Sequence, residues 1–405
     1  MQQTANLIIL RGTRLFDTKK ILSMYQFLTK RTTLPVFLLI LLFSCKDRKG
    51  YIADGSPMII NLDSAATHFS LVSRVDCVNV VEIEAKDSSI ISDATSVQRV
   101  IENNGRYFIL DDKFMSIKAF DSTGKYLYNV GALGMGRGEF VRIEEIAYFP
   151  PHRSLLVLCN RPTKMCEFTL DGHFIREVNM GFWATSFAFP SENRRLFYVN
   201  QNKSELSEDQ NILLTDSAYA ISSRMFDMPK HIRSTLKFSG GLYSEDGSIY
   251  FNPALSGTYY LMSNDTAKPA FRVNYGSRNV PPDVTELKLL PNLRKYEYQC
   301  GTFIKDKNYL GFNYFDRGEN AAFCNLHSGK VLTSDIKLDS LNLLFTNAVF
   351  EGRDKYIVVL DVKRLSGFIK RNYALLIQRF PAFTHLNVDK VHPNPALLTF
   401  KLKSI

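Results

Sequence analysis

The sequence predicts an all-β chain: a six-bladed β-propeller with four-stranded antiparallel blades, closed by a strand from one terminus. Three observations lead there. Aromatics make up 12% of 405 residues, with 30 Phe and 19 Tyr against a single Trp, and aromatic and β-branched side chains suit a pleated, half-buried surface. A strand–strand–turn–strand unit recurs, with Gly172 standing 48 residues after its counterpart Gly124 (172 − 124). Between the two copies lies Gly131-Ala132-Leu133-Gly134-Met135-Gly136-Arg137-Gly138-Glu139-Phe140, whose four glycines permit the positive φ and close backbone approach of a tight crossover.

The elements follow in order. Met58 to Leu62 and Val75 to Ile83 are strand-like. Gly105 to Asp112 and Ser116 to Phe120 are a strand pair, Asp121-Ser122-Thr123-Gly124-Lys125 is turn chemistry, and Tyr126 to Val130 closes the unit. The shifted copy reads His152 to Leu158, Thr163 to Phe168, Leu170 to His173 and Phe174 to Val178, so that Leu110 falls on Leu158, Ile117 on Met165 and Phe120 on Phe168. Looser copies begin near Phe189, Glu245, Lys305 and Gly352, which makes six units, the last three with insertions. Units of this length cannot bury their own faces and must stack or close radially. A β-sandwich supplies strands but not the superposition, and a β-helix needs shorter repeats. Pro282 to Leu290 reads as a short helix with Asp283 as N-cap. Leu365 to Gln378 fits either helix or strand. Leu397 to Leu402 is a last strand, and with Met58 to Leu62 it forms the expected latch of the ring.

The N-terminus stands apart from the fold. Lys30-Arg31 precede the apolar run Leu34 to Phe43, then Ser44-Cys45. A basic n-region, about ten apolar residues and a small residue before the cut describe a secretory signal too short to span a bilayer. Leu42-Phe43-Ser44-Cys45 resembles a bacterial lipobox, with Phe43 where a small residue is usual. The resemblance implies that Cys45 is lipidated and becomes the first residue. The domain expectation is residues 1–44 as a lipoprotein signal, with Met24 an alternative start, 45–56 as a tether and 57–405 as the propeller.

The formal charge of +10 includes the basic segment before Cys45, so it argues for an envelope protein near anionic lipid or polysaccharide rather than for nucleic acid. Spending Cys45 on lipid leaves five of the six cysteines, an odd number. There is no C-x-x-C and no ligand-spaced Cys/His cluster, so zinc is not expected. Cys159 and Cys166 flank a hairpin turn without facing each other, and buried free thiols are the expectation.

The turn at Gly124, the block Gly131 to Phe140 and the ending Asn394-Pro395-Ala396-Leu397-Leu398-Thr399-Phe400-Lys401-Leu402-Lys403 together resemble six-bladed β-propeller lipoproteins of Bacteroidetes-type bacteria, distant relatives of NHL-repeat propellers. Arg137 stands where that family usually has Pro. The resemblance implies the fold and an envelope, outer-membrane location, facing either periplasm or exterior, and no assigned chemistry. Its motif turn comprises Gly131, Gly134, Gly136, Gly138, Glu139 and Phe140.

Candidate chemistry is sparse. The glycine run lacks the Lys-Ser/Thr of a phosphate loop and no helix follows it. Glu139 is expected to satisfy backbone N–H groups in its turn. Seven dispersed histidines contain no H-E-x-x-H. Asp111-Asp112 lack calcium-loop spacing and read as a solvated turn. No G-x-S-x-G occurs. Phe182-Trp183 offers either a sugar-stacking platform or inter-blade packing, the latter being the commoner use. No catalytic, metal or cofactor-binding residue is assigned. The expectation is a non-enzymatic binding or scaffolding module, anchored in the membrane by lipid, for a glycan, a peptide or an envelope protein. The competing reading is a lyase or hydrolase with its site in the central channel.

Overall fold

The computed structural model describes residues 48–49, 51–63, 68–228, 241–245, 247–282, 284, 286–352, 354–387 and 393–403. The signal segment, Met24, Cys45, the Asp283 cap, His231 and His392 lie outside the described residues. Lys49–Ile405 forms one compact unit. No helix among the described residues is long and apolar enough to cross a membrane.

The strands form six four-stranded antiparallel blades around an axis, some with an added edge strand. Blade 1 is Val97–Asn103, Arg106–Asp111, Ser116–Asp121 and Tyr126–Val130. Blade 2 is Arg142–Phe149, Ser154–Arg161, Thr163–Thr169 and Phe174–Asn179. Blade 3 is Ser186–Ser191, Arg194–Tyr198, Gln210–Asp216 and Ile221–Asp227. Blade 4 is Gly241–Glu245, Ser248–Asn252, Thr258–Ser263 and Thr266–Asn274. Blade 5 is Tyr298–Lys305, Tyr309–Phe315, Glu319–Asn325 and Val331–Thr333. Blade 6 joins Val349–Gly352, Lys355–Leu360 and Ala396–Leu402 to Val75–Glu82 from the front of the chain.

Both faces of the middle strands are apolar because each is covered by a neighbouring blade. The buried side chains accordingly fall into clusters between blades. Phe108, Val130, Phe140 and Phe168 sit between blades 1 and 2, and Phe149, Phe187 and Phe197 between blades 2 and 3. Tyr250, Tyr259, Phe303 and Phe312 join blades 4 and 5. Burial of this kind is worth about 1.5–3 kcal/mol for each large side chain, and it holds the ring together blade by blade.

Ring closure differs from the sequence expectation. Ala396–Leu402 does close the ring, but its partner is Val75–Glu82, with Leu398 opposite Val80 and Ala396 opposite Glu82. Met58–Asn61 instead pairs in parallel with Phe271–Asn274 at the outer edge of blade 4. Tyr51–Ile52, within the stretch expected as a tether, pairs with Thr266–Ala267 on the same strand. His68–Ser70 adds to blade 5 beside Val331–Thr333. The N-terminal ribbon thus covers the outer edges of blades 4 and 5 before supplying blade 6, and covered edges are protected from pairing with another chain.

Asn394 explains the closing motif. Its Oδ1 accepts from the Ile91 N–H at 2.8 Å, and its Nδ2 donates to the carbonyls of Glu84 at 2.8 Å and Ser89 at 3.0 Å. The side chain is buried and ties the last strand to the loop between closure and blade 1. Asn394→Ala strands these backbone groups, and we expect it to cost about 2–4 kcal/mol. Urea unfolding checks this, and a loss under about 0.5 kcal/mol, the size of an ordinary surface change, would contradict it.

Leu365 to Gln378 resolves as helix, in Val362–Arg371 and Tyr373–Arg379. Asp361 caps the first by accepting from the Arg364 N–H at 2.8 Å, and Val362, Leu365 and Ile369 fall on one face and enter the core between blades 5 and 6. A helix also occupies Glu286–Leu289.

Candidate ligand-binding channel

The first strand of each blade lies nearest the axis, and these six strands wall a channel. One cavity of about 510 Å³ is lined by residues from all six, among them Glu102, Tyr148, Phe187, Glu245, Ile304 and Glu351. A second, of about 690 Å³, opens at the end where those strands begin, lined by Thr95, Asp112, Asn200, Tyr243, Cys300 and others. Arg99, Glu145, Leu242 and Thr302 border both cavities and set the waist between them.

Charge at the waist is paired. Arg99 Nε and Nη2 donate to the two Glu145 oxygens at 2.8 and 3.0 Å, the bidentate fork that a guanidinium is shaped to make. Burial works against the Arg99 charge, but Glu145 more than offsets it and holds the guanidinium protonated. At the other end of the first cavity, Lys355 Nζ lies 3.1 Å from Glu102 Oε1.

Glu245 is different. It is 6% exposed, and it borders the first cavity together with Glu351. Burial first, and the Glu351 carboxyl second, push its pKa well above the carboxylate range. Among the described residues, none pairs with Glu245 Oε2.

In the second cavity, Gln299 Nε2 donates to the Tyr243 hydroxyl at 3.0 Å, and that hydroxyl donates to the Gly301 carbonyl at 3.2 Å. Burial raises the Tyr243 phenol to about 12 and pushes the Cys300 thiol well up. Cys300 therefore lacks the thiolate character that a nucleophile needs.

Among the described residues, those singled out in the sequence lie away from this channel, with one exception. The glycine run connects blades 1 and 2, Ala132–Leu133 pairing in parallel with Glu139–Phe140. Gly131 has φ +66°, and a Cβ there would stand 2.5 Å from the Phe140 ring. Glu139 Oε2 accepts from the Gly136 N–H at 2.8 Å, and Glu177 Oε2 accepts from Gly138 N–H at 3.0 Å and from Lys164 Nζ at 2.7 Å. These acceptors serve the turn itself. Phe140 is buried between the blades, while Leu133 and Met135 are exposed.

Asp111 is not in a solvated turn. It is fully buried and accepts from Ser92 N and Oγ, Lys113 N and Phe114 N at 2.6–3.0 Å. Its neighbour Asp112 is the exception, lining the wide mouth. Phe182 is buried against Phe197, ring centroids 5.1 Å apart, so it offers no open stacking face beside half-buried Trp183. His152 Nδ1 lies 2.7 Å from Glu167 Oε1, and no cluster of three or more metal-ligating side chains occurs among the described residues. Cys159 and Cys166 are buried free thiols, displaced in register because Cys159 faces Lys164 and Cys166 faces Val157. Cys77, by contrast, is exposed, and Cys300 is partly so.

Sequence reasoning missed Glu102, Glu245 and Glu351. The signal was present: each stands at the end of a first strand, one to three residues before the hairpin glycine Gly105, Gly247 or Gly352. Aligning the first strands of the blades rather than the turns would have placed three carboxylates on one rim.

Six blades around an open, charged axial channel define the class, a β-propeller with a cavity at its centre. Within that class the chain belongs to the family described as Domain of unknown function (DUF4934), which residues 57–401 match. Its fold is similar to that of a putative exported protein from Bacteroides fragilis, at 16% identity and a TM-score of 0.71, covering 86% of this chain and 100% of that one. A member of the duf4221 family from Bacteroides vulgatus is similar at 9% identity and a TM-score of 0.52, covering 82% of this chain and 98% of that one. No curated protein matches. Identities this low bear on the fold alone.

Proposed function

We propose that this chain is a lipid-anchored propeller of the bacterial cell envelope that binds a ligand in its axial channel and releases it unchanged. The observation that carries the reading is the channel, whose cavities of about 510 and 690 Å³ fall in the size range of small-molecule sites and mix an apolar wall with a few convergent polar groups. A glycan, a peptide segment or a loop of an envelope protein fits such a seat. The anchor is supported by Lys30-Arg31, the apolar run Leu34 to Phe43 and Cys45. The fold relative named as exported is in keeping with it.

One observation favours catalysis instead. Glu245, whose burial disfavours its ionised form, has beside a second carboxyl the form of a general acid next to a base. The two readings part on the fate of a bound ligand. Calorimetry against a panel of oligosaccharides, peptides and amines identifies a binder, and mass spectrometry after long incubation reads its fate. An unchanged ligand supports binding, and a converted one transfers the site to the enzyme reading. Ser244→Trp, which fills the channel from an exposed wall position, is expected to abolish binding. For the anchor, Cys45→Ala is expected to leave an unacylated and unprocessed precursor. Acylation and processing like those of the wild type would end the lipoprotein reading.

A further inference from the structure

We propose that the acidic end of the channel binds an organic cation, the ammonium or guanidinium head of an alkyl ligand, between Glu245 and Glu351. The inference rests on the reading of the channel as the ligand seat and names the chemistry of that ligand.

The geometry supplies a need for positive charge. Both carboxyls border the same cavity, Glu245 buried and Glu351 exposed, and two acceptors brought together require a shared proton or a shared cation. Glu245 is buried, and among the described residues nothing pairs with its Oε2, although buried polar groups are nearly always paired. Glu145 is matched by Arg99, and one oxygen of Glu102 by Lys355. Glu102 Oε2 stays unpaired among the described residues, so the rim gathers unmatched acid, with Glu245 its buried member and Glu351 its exposed one. A cation that displaces the shared proton gains charge-assisted hydrogen bonds to both carboxylates, the stronger kind of hydrogen bond.

The surroundings choose among cations. Hard metal ions take six or more oxygen ligands, and no cluster of three metal-ligating side chains exists among the described residues. Besides polar groups, the cavity lining carries the apolar residues Ile101, Ile146, Phe187, Leu242, Ile304 and Phe350. An alkyl stem with a cation at its end matches that mixture of surfaces. A free alkyl amine and a guanidino compound share this head-and-stem chemistry.

The test is calorimetry on the purified full-length chain with 1,5-diaminopentane, agmatine and the uncharged 1,5-pentanediol. We expect at least one cation to bind and the diol not to. Glu245→Gln and Glu351→Gln, close in shape to the originals, are each expected to weaken the cation about tenfold or more at an unchanged melting temperature. Tighter agmatine than diamine binding marks a guanidinium site, and the reverse marks an ammonium site. No cation binding at millimolar concentration, a diol that binds as well, or full cation binding in the double Gln variant would each overturn the proposal. The channel reading fails separately: if a neutral oligosaccharide binds and Ser244→Trp blocks it, only the cation is lost, whereas binding indifferent to Ser244→Trp removes the channel as the seat.

Discussion

Truncation after Pro395 will leave a chain that does not fold cooperatively. Ala396–Leu402 is an interior strand of blade 6, laddered to Lys355–Leu360 on one side and to Val75–Glu82 on the other. Removing it detaches the N-terminal strand, opens the ring and exposes two inter-blade cores. Leu397, Leu398 and Phe400 are wholly buried, and at about 1.5–3 kcal/mol each their burial alone is comparable to the 5–15 kcal/mol that separates a typical folded domain from its unfolded state. Leu398→Ala is the milder companion, expected to cost about 2–5 kcal/mol while keeping the ladder. Chemical unfolding followed by Trp183 fluorescence and far-UV circular dichroism reads both. An unchanged midpoint in the truncated chain would refute the closure described here.

Gly124→Ala will destabilise by about 2–6 kcal/mol, far more than exchange of a surface turn glycine ordinarily does. Two costs add. At φ +86° an alanine sits in the left-handed region, at about 1–3 kcal/mol, and its Cβ would stand 2.0 Å from the Glu82 carbonyl oxygen, forcing overpacking worth about 1–3 kcal/mol. That carbonyl belongs to the closing strand, and the Gly124 carbonyl in turn accepts from the Glu84 N–H at 2.8 Å. The turn of blade 1 is therefore the surface on which the ring closes. Gly329→Ala is the control, with φ +69° and nothing within 4 Å of the new Cβ, so it carries the first cost without the second. Equal losses in the two variants would show that close approach at Gly124 is not the constraint.

Gly124 and Gly172 also show why so much of the fold could be read from the chain. Both have positive φ, and at both a Cβ would strike the preceding blade, at Glu82 or at Tyr128. A repeated steric requirement leaves a repeated residue. The same holds for the glycine run, whose spacing follows from Phe140 and Glu139 closing on the backbone around Gly131 and Gly136. Asn394 was legible as part of a motif, but its three hydrogen bonds reach residues some three hundred positions away, and no local pattern reports them.

The latch was misplaced for a related reason. Met58–Asn61 and Val75–Glu82 are both short β-rich segments, and alternation makes either a plausible partner for Ala396–Leu402. What selects Val75–Glu82 is the packing of Val80 and Val81 into the cores on either side of blade 6, together with the short link to blade 1 stapled by Glu84, whose Oε2 accepts from the Tyr126 N–H at 2.9 Å. Asp111 was misread because acid pairs at strand ends usually face water. Here the Ser92 loop folds over it and supplies donors from outside its own blade.

By itself, the sequence determined the strand content, the six-unit repeat and the glycine turns, because each of these is enforced by sterics or burial within one or two neighbouring blades. Only the tertiary structure decided which strand closes the ring and what lines its axis. Glu245 and Glu351 belong to different blades and border one cavity because radial closure turns the ends of separate first strands toward one centre. Contacts across an axis have no fixed spacing along the chain, so they leave no period to be read.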